Sequence, residues 1–436
     1  MSSASRNEPP NGGSKPTRRS PWTSTRDRAI AVILTLAVVG AGLLIWLTSD
    51  SRATHAETAD GAPTPPAAPS EVPDGLEEVW RAPSAATPRP VTDGASVVTG
   101  DGGAVIGRDP LTGRERWRYE RDRELCTVSD AWSTAMALYA RHSAAGNWCS
   151  EVTQLDMGTG ERTAQRNGNA ELGTQLIDDG SHAVTTGKNL LNVWSQNLVR
   201  TMEYGEVPAP VEPGRQPRPG CDYGSVAVSS GKIGVIERCD DDATDRLTVF
   251  GTTNTVDGET KSDQPKVFFT TLLDSENARV VALVDRHESA ESDYLVAVAF
   301  GDAKKLAVYD ADGNKTAQYA LDLPAAALTS DPEGRVEPIA RTGSGLYWST
   351  GASTIALDAG DLRPRWTLHG TTGTGTMFAG ELVLPVRGGL AVIDEKSGEV
   401  ERTLFVERGD HDGPTRLATA GPVLLEQRGA TLVALR

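Results

Sequence analysis

Read only for apolar and polar positions, the chain has three regimes. Residues 29–49 (AIAVILTLAVVGAGLLIWLTS) form an apolar run without a charge. About 20 such residues make a helix as long as a hydrocarbon core of roughly 30 Å is thick. The segments on either side of it, residues 1–28 and 50–74, show no periodicity. From residue 75 onward, short stretches alternate apolar and polar side chains, the period of half-buried strands, and no long amphipathic helix competes with them.

Within the third regime one phrase recurs. It reads AVIGRDPLTGRERW from Ala104, VTQLDMGTGERT from Val152 and LAVYDADGNKTAQY from Leu306. It returns as TIALDAGDLRPRW from Thr354 and LAVIDEKSGEVERT from Leu390. Asp109, Asp156, Asp310, Asp358 and Asp394 occupy equivalent places, and Gly113, Gly160, Gly313 and Gly398 close four of the turns. An Asp at a turn start accepts backbone N–H bonds from ahead of it, and Gly adopts positive φ without penalty. Each phrase therefore predicts a hairpin, and further short strands precede it (PVTDGASVV, GSGLYWST, GELVLP).

Four strands repeating about every 40–45 residues are the signature of propeller blades. Units end near Tyr119, Gln165, Tyr319, Leu368 and Phe405, with weaker units over 174–204 and 224–273. The eighth is split. TAGPVLLEQRGATLVAL at the C-terminus supplies inner strands, and LEEVWRA at 76–82 supplies an orphan outer strand. Joining them closes the ring and removes free sheet edges. The expected fold is all-β, an eight-bladed β-propeller closed by N- and C-terminal strands, preceded by one transmembrane helix; seven blades is the rival count.

Charge and composition place these regimes. The formal net charge is −16, yet residues 1–28 carry a net +4 and the remainder −20. An acidic protein repels phosphates, which argues against nucleic acid as a partner. Arg26 and Arg28 precede the apolar run and Asp50 follows it, so the positive-inside bias puts the N-terminus in the cytoplasm. The alternative is a cleaved signal peptide. The apolar run exceeds the usual 7–15 residues of such a peptide, and Thr54-His55-Ala56 is a poor cleavage site. The expected layout is a disordered cytoplasmic tail (1–28), a single-pass membrane helix (29–49), a Pro/Ala-rich extended linker (50–74) and an extracytoplasmic propeller (75–436). An excess of Arg over Lys, 34 to 9, points to a high-GC bacterium such as an actinobacterium.

Cys126, Cys149, Cys221 and Cys239 are an even set outside the membrane, where disulfides persist. Three pairings are open. The preferred one joins Cys126 to Cys149 and Cys221 to Cys239, each within one unit.

The D-x-x-T-G-x-x-x-W run from Asp109 to Trp117 resembles the repeats of quinoprotein-like (PQQ-like) β-propellers. Asp358 and Trp366 keep the same spacing without the Thr-Gly pair. The resemblance implies that repeat tryptophans dock blade on blade, with Trp117, Trp366 and Trp194 as candidates. It also spans two functional classes: dehydrogenases carrying pyrroloquinoline quinone, and non-enzymatic assembly factors. The dehydrogenases show adjacent cysteines, Glu, Asn and Asp around calcium, and an Asp base. This chain has no Cys-Cys pair, and no matching ligand set was recognised.

Other chemistry is sparse. Asp310-x-Asp312-Gly313-Asn314 is half a calcium loop without the distal Glu, and reads as a hairpin turn. Asp240-Asp241-Asp242 reads as a solvated loop. The histidines (55, 142, 182, 287, 369 and 411) fit no HExxH spacing, and GTTGTG at 370–375 reads as an inter-blade turn. No catalytic, cofactor-binding or metal residue is assigned, and no cofactor is expected. The expected function is a non-enzymatic scaffold, tethered at the membrane and binding protein or envelope polymers. Its insertions 208–221 and 285–293 are the expected contact loops. The alternatives are a ligand-binding sensor and a PQQ-dependent dehydrogenase with a divergent site.

Overall fold

A computed structural model describes residues 24–47, 52–143, 146–208, 216–253, 255–256, 259–260, 265–286, 293–324 and 327–436. It separates into two units, Met1–Thr54 and His55–Arg436. In the first, an α-helix spans Thr25–Leu47, long and apolar enough to cross a membrane. It begins four residues before the expected boundary because Ser24 caps it: the Asp27 N–H donates to Ser24 Oγ at 3.1 Å. Of the expected cytoplasmic tail (1–28), residues 1–23 lie outside the described residues and Thr25–Arg28 belong to the helix.

In the second unit the alternating pattern folds into eight main sheets, each built on four antiparallel strands and numbered here as blades in chain order. Blade 1 holds Val91–Thr92, Val97–Asp101, Ala104–Arg108 and Glu115–Arg121. Blade 2 holds Leu125–Ser129, Thr134–Ser143, Gly146–Asp156 and Arg162–Ala170. Blade 3 runs from Leu176–Asp178 to Arg200–Gly205, blade 4 from Cys221–Ser229 to Val267–Leu272, and blade 5 from Ala278–Asp285 to Lys315–Ala320. Blade 6 runs from Ile339–Arg341 to Pro364–His369 and blade 7 from Thr376–Phe378 to Val400–Phe405. Blade 8 takes Thr415–Ala420, Val423–Arg428 and Thr431–Leu435 from the C-terminus and Glu78–Pro83 as its outermost strand. Arg81 pairs with Val433 and Ala82 with Leu432, which closes an eight-bladed ring. The buried apolar side chains lie between neighbouring blades; one cluster joins Leu306 and Val308 of blade 5 to Trp348, Ile355 and Leu357 of blade 6.

Antiparallel order sorts the loops onto two faces. Turns between first and second strands, and between third and fourth, share one face. Turns between second and third strands share the other with the inter-blade connectors. These are called the turn face and the connector face below.

The linker differs from the free tether its composition suggests. Thr54–Glu57 adds a strand outside Glu115–Arg121 of blade 1. The Ala59 N–H then donates to the Thr159 carbonyl at 2.9 Å, and Arg116 Nη2 to the Gly61 carbonyl at 2.9 Å. Val72 is only 2 % exposed, and Arg402 Nη2 donates to its carbonyl at 2.7 Å. A Pro-rich extended chain can dock this way with few apolar anchors, because its neighbours satisfy its backbone.

Both disulfides brace the connector face. Cys126–Cys149 ties the first strand of blade 2 to its third, where the intervening pairings are bulged. Cys221–Cys239 joins directly opposed residues on the first two strands of blade 4. The bonds close loops of 23 and 18 residues, each expected to stabilise by about 3 kcal/mol. Dithiothreitol should therefore lower the thermal midpoint of the purified protein. Cys→Ala at either pair should give part of that loss.

Candidate functional site

The repeat turns come first, because they hold the ring together. In each, the Asp carboxylate bonds the backbone ahead of it. Asp109 Oδ1 accepts from the N–H groups of Leu111 and Thr112, Asp156 Oδ1 from Gly158 and Thr159, and Asp394 Oδ1 from Lys396 and Ser397. Asp310 and Asp358 accept in the same way. The third residue of the previous blade's outermost strand then covers the turn glycine. Trp80 lies against Gly113, Trp117 against Gly160, Phe269 against Gly313 and Trp366 against Gly398. A Cβ on any of the four glycines would fall 2.5–2.7 Å from the nearest ring atom. The three indole N–H groups also cross the seam, Trp80 to Pro110 O (2.8 Å), Trp117 to Met157 O (3.0 Å) and Trp366 to Glu395 O (3.1 Å).

Two of these docking residues, Trp80 and Phe269, are absent from the sequence assignment. The available signal was strand phase, since Trp80 and Trp117 are both third in their strands. Trp194 plays a different part. It sits on the third strand of blade 3 and packs back on Gly168 of blade 2's outermost strand.

Four buried glutamates form a second set of inter-blade ties. Glu151 pairs with Arg121 and Arg123, which lead out of blade 1. Glu237 accepts from Tyr204 of blade 3, from Arg218 Nε at 3.1 Å and from Thr248 Oγ1 at 2.8 Å. Glu337 accepts from Arg279 Nη1 of blade 5 at 3.2 Å and from Trp348 Nε1 of blade 6 at 2.7 Å. Burial pushes the Glu337 carboxyl above its usual range. Glu426 accepts from Arg408 Nη2 at 2.7 Å and from Arg428 Nε at 2.6 Å.

The acidic run beside Cys239 is not simply solvated. Asp242 is bonded by Arg246, and Arg218 Nη2 reaches it at 3.2 Å. The Arg246 hydrogen bond leads in holding its carboxyl below the ordinary value of 3.8. A depressed folded value stabilises above the unfolded value, and that contribution fades as pH falls through the depressed one. The stability gap between wild type and Asp242→Asn should therefore be full at pH 6 and shrink steadily below about pH 4. Denaturant titrations across that range measure it.

The axial channel mouth on the connector face is crossed by the segment between blades 5 and 6. Asp331 receives Arg238 Nη1 of blade 4 at 2.9 and 2.8 Å, and Glu333 receives Arg416 Nη2 of blade 8 at 2.8 Å. Beneath it lies a pocket of about 360 Å³ walled by Arg279, Ser349, Thr350, Thr374, Pro414 and Arg416. Gly373–Thr374, from the GTTGTG stretch, pairs in parallel with Thr415 and Arg416 of blade 8.

A serine, a histidine and an aspartate also meet. Ser353 Oγ lies 3.0 Å from His369 Nδ1, and His369 Nε2 lies 3.2 Å from Asp322 Oδ2. Ser353 has no exposed surface. The His369 and Asp322 side chains are 54 % and 85 % exposed, so the contact links buried Ser353 of blade 6 to the exposed segment that follows blade 5. Among the described residues, no group of three or more His, Cys, Asp or Glu side chains is placed to hold a metal ion. Of the two insertions named as contact loops, residues 209–215 and 287–292 lie outside the described residues.

A family model described as outer membrane protein assembly factor BamB matches residues 73–236. No curated protein matches the chain. Among solved structures, the computationally designed Ika8 protein is 12 % identical at a TM-score of 0.53, covering 82 % of this chain and 98 % of its own. Sqt1 of Saccharomyces cerevisiae is 10 % identical at 0.53, covering 85 % and 99 %. At such identities the likeness shows the fold alone. The family match likens residues 73–236 of the eight-bladed ring to that family.

Proposed function

We propose that this protein is a non-enzymatic scaffold, anchored by its N-terminal helix, whose extracytoplasmic propeller binds other proteins or envelope polymers. The observation that carries the reading is the match of residues 73–236 to an assembly-factor family model, on a ring closed by its own two ends. Such a ring offers rigid loops on two faces, and loops on rigid frames are where binding residues concentrate. Two disulfides suit an oxidising compartment outside the cytoplasm. The apolar helix behind two arginines suits a single-pass anchor with its N-terminus inside.

The pocket at the channel mouth favours a second reading, a sensor taking a small ligand there. Crosslinking in intact cells followed by mass spectrometry tests the scaffold. It should recover the same protein or polymer partner in replicate experiments, and to depend on the propeller. No reproducible partner would count against it. So would cofactor absorbance with dye reduction after reconstitution with pyrroloquinoline quinone and calcium.

A further inference from the structure

We infer that residues 327–338 form a latched cover over the connector-face mouth of the channel, able to open while the ring stays closed. The segment is rooted between blades 5 and 6, yet it touches blade 3 on one side and blade 8 on the other. In a ring of eight, such a span is a chord across the mouth. Its tip, Glu333–Arg335, is a single 3-10 turn.

The cover is buried only at its ends, at apolar Leu328 (5 % exposed) and at hydrogen-bonded Glu337 (6 %), and no residue from 329 to 336 is buried. Polar ties hold everything between them. Asp331 is paired with Arg238 of blade 4, and Glu333 with Arg416 of blade 8. Gln175 Nε2 donates to the Glu333 carbonyl at 3.2 Å, and Thr186 Oγ1 to the Gly334 carbonyl at 2.5 Å, both from blade 3. Arg279 donates to the Ser330 carbonyl.

The backbone is strained in the same stretch. Leu328 and Arg335 are non-glycine residues at φ 61° and 63°, a region disfavoured for L-residues and common at clamps and switches. A segment with buried ends, a strained backbone and a middle held by partly exposed ion pairs opens at lower cost than the ring it lies on. Opening it would widen the access of solvent to the pocket and uncover its most buried wall, including Ser349.

The test uses the full chain in detergent and one reporter. Ser349 lines the pocket and is 3 % exposed; Ser349→Cys adds a single free thiol, because all four native cysteines are bonded. The latch is broken from the cover side with Asp331→Asn and Glu333→Gln, which keep side-chain shape. The expected result is N-ethylmaleimide labelling of Ser349→Cys about tenfold faster with the latch broken, and faster in wild-type background at 1 M salt than at 0.05 M. A control, Ala183→Cys in the core of blade 3, should stay protected throughout. Equal Ser349→Cys rates in both backgrounds would overturn the inference. So would a rise matched by the Ala183→Cys control, which would mean that the whole ring loosens.

Discussion

Trp117→Ala lowers the unfolding free energy by about 3–5 kcal/mol. The indole is 2 % exposed and fills the seam between blades 1 and 2. One face covers Gly107 of its own blade, the other covers Gly160 of the next, and its N–H satisfies the Met157 carbonyl. Truncation removes a large buried apolar surface, leaves a cavity and orphans an acceptor, three losses that act together. Gly160→Ala attacks the same seam from the other side. Its φ is +73°, and the new Cβ would lie 2.6 Å from the Trp117 ring; the expected cost is about 1–3 kcal/mol. The double variant should cost less than the sum, because the ring that the methyl strikes is gone. Chemical denaturation of the three variants checks all of this. A Trp117→Ala loss below about 1 kcal/mol would contradict the docking role.

Glu426→Ala should be comparably damaging, at about 3–5 kcal/mol. The Glu426 side chain is fully buried and those of Arg408 and Arg428 are 8 % and 6 % exposed, so its removal strands two guanidinium groups. Arg408 also donates to the Val386 and Gly389 carbonyls of blade 7, which makes the trio a tie between blades 7 and 8. Replacing all three with apolar residues of similar size (Glu426→Leu, Arg408→Met, Arg428→Met) should recover part of the loss. Full recovery is not expected, since the two blade 7 carbonyls lose their donor. If Glu426→Ala unfolds at the wild-type denaturant concentration, the tie is not structural.

The hairpins were readable because their chemistry is local: an Asp and a Gly a few residues apart determine a turn wherever they lie in the ring. Ring closure was readable for a related reason, since residues 76–82 and the C-terminal strands each lacked the part the other had. The channel cover was not readable. Its partners Gln175, Thr186, Arg238 and Arg416 stand 158, 148, 93 and 83 positions from the residues they bind, and no local pattern announces such pairs. The docked linker was hidden differently. Composition alone cannot tell a free Pro/Ala-rich chain from one anchored by a residue such as Val72. Phe269 was missed because it does a tryptophan's work without the tryptophan, whereas Trp194 does pack blade on blade, but from a third strand and toward the preceding blade.

Thiol labelling in whole cells probes the functional reading at its root, that the propeller meets its partners outside the cytoplasm. Phe405 is 76 % exposed on the outermost strand of blade 7, and Phe405→Cys supplies an accessible thiol in a chain whose native cysteines are paired. A membrane-impermeant maleimide should label Phe405→Cys in intact protoplasts and Ser3→Cys only after lysis. Labelling of Ser3→Cys in intact protoplasts with Phe405→Cys protected until lysis would contradict the account.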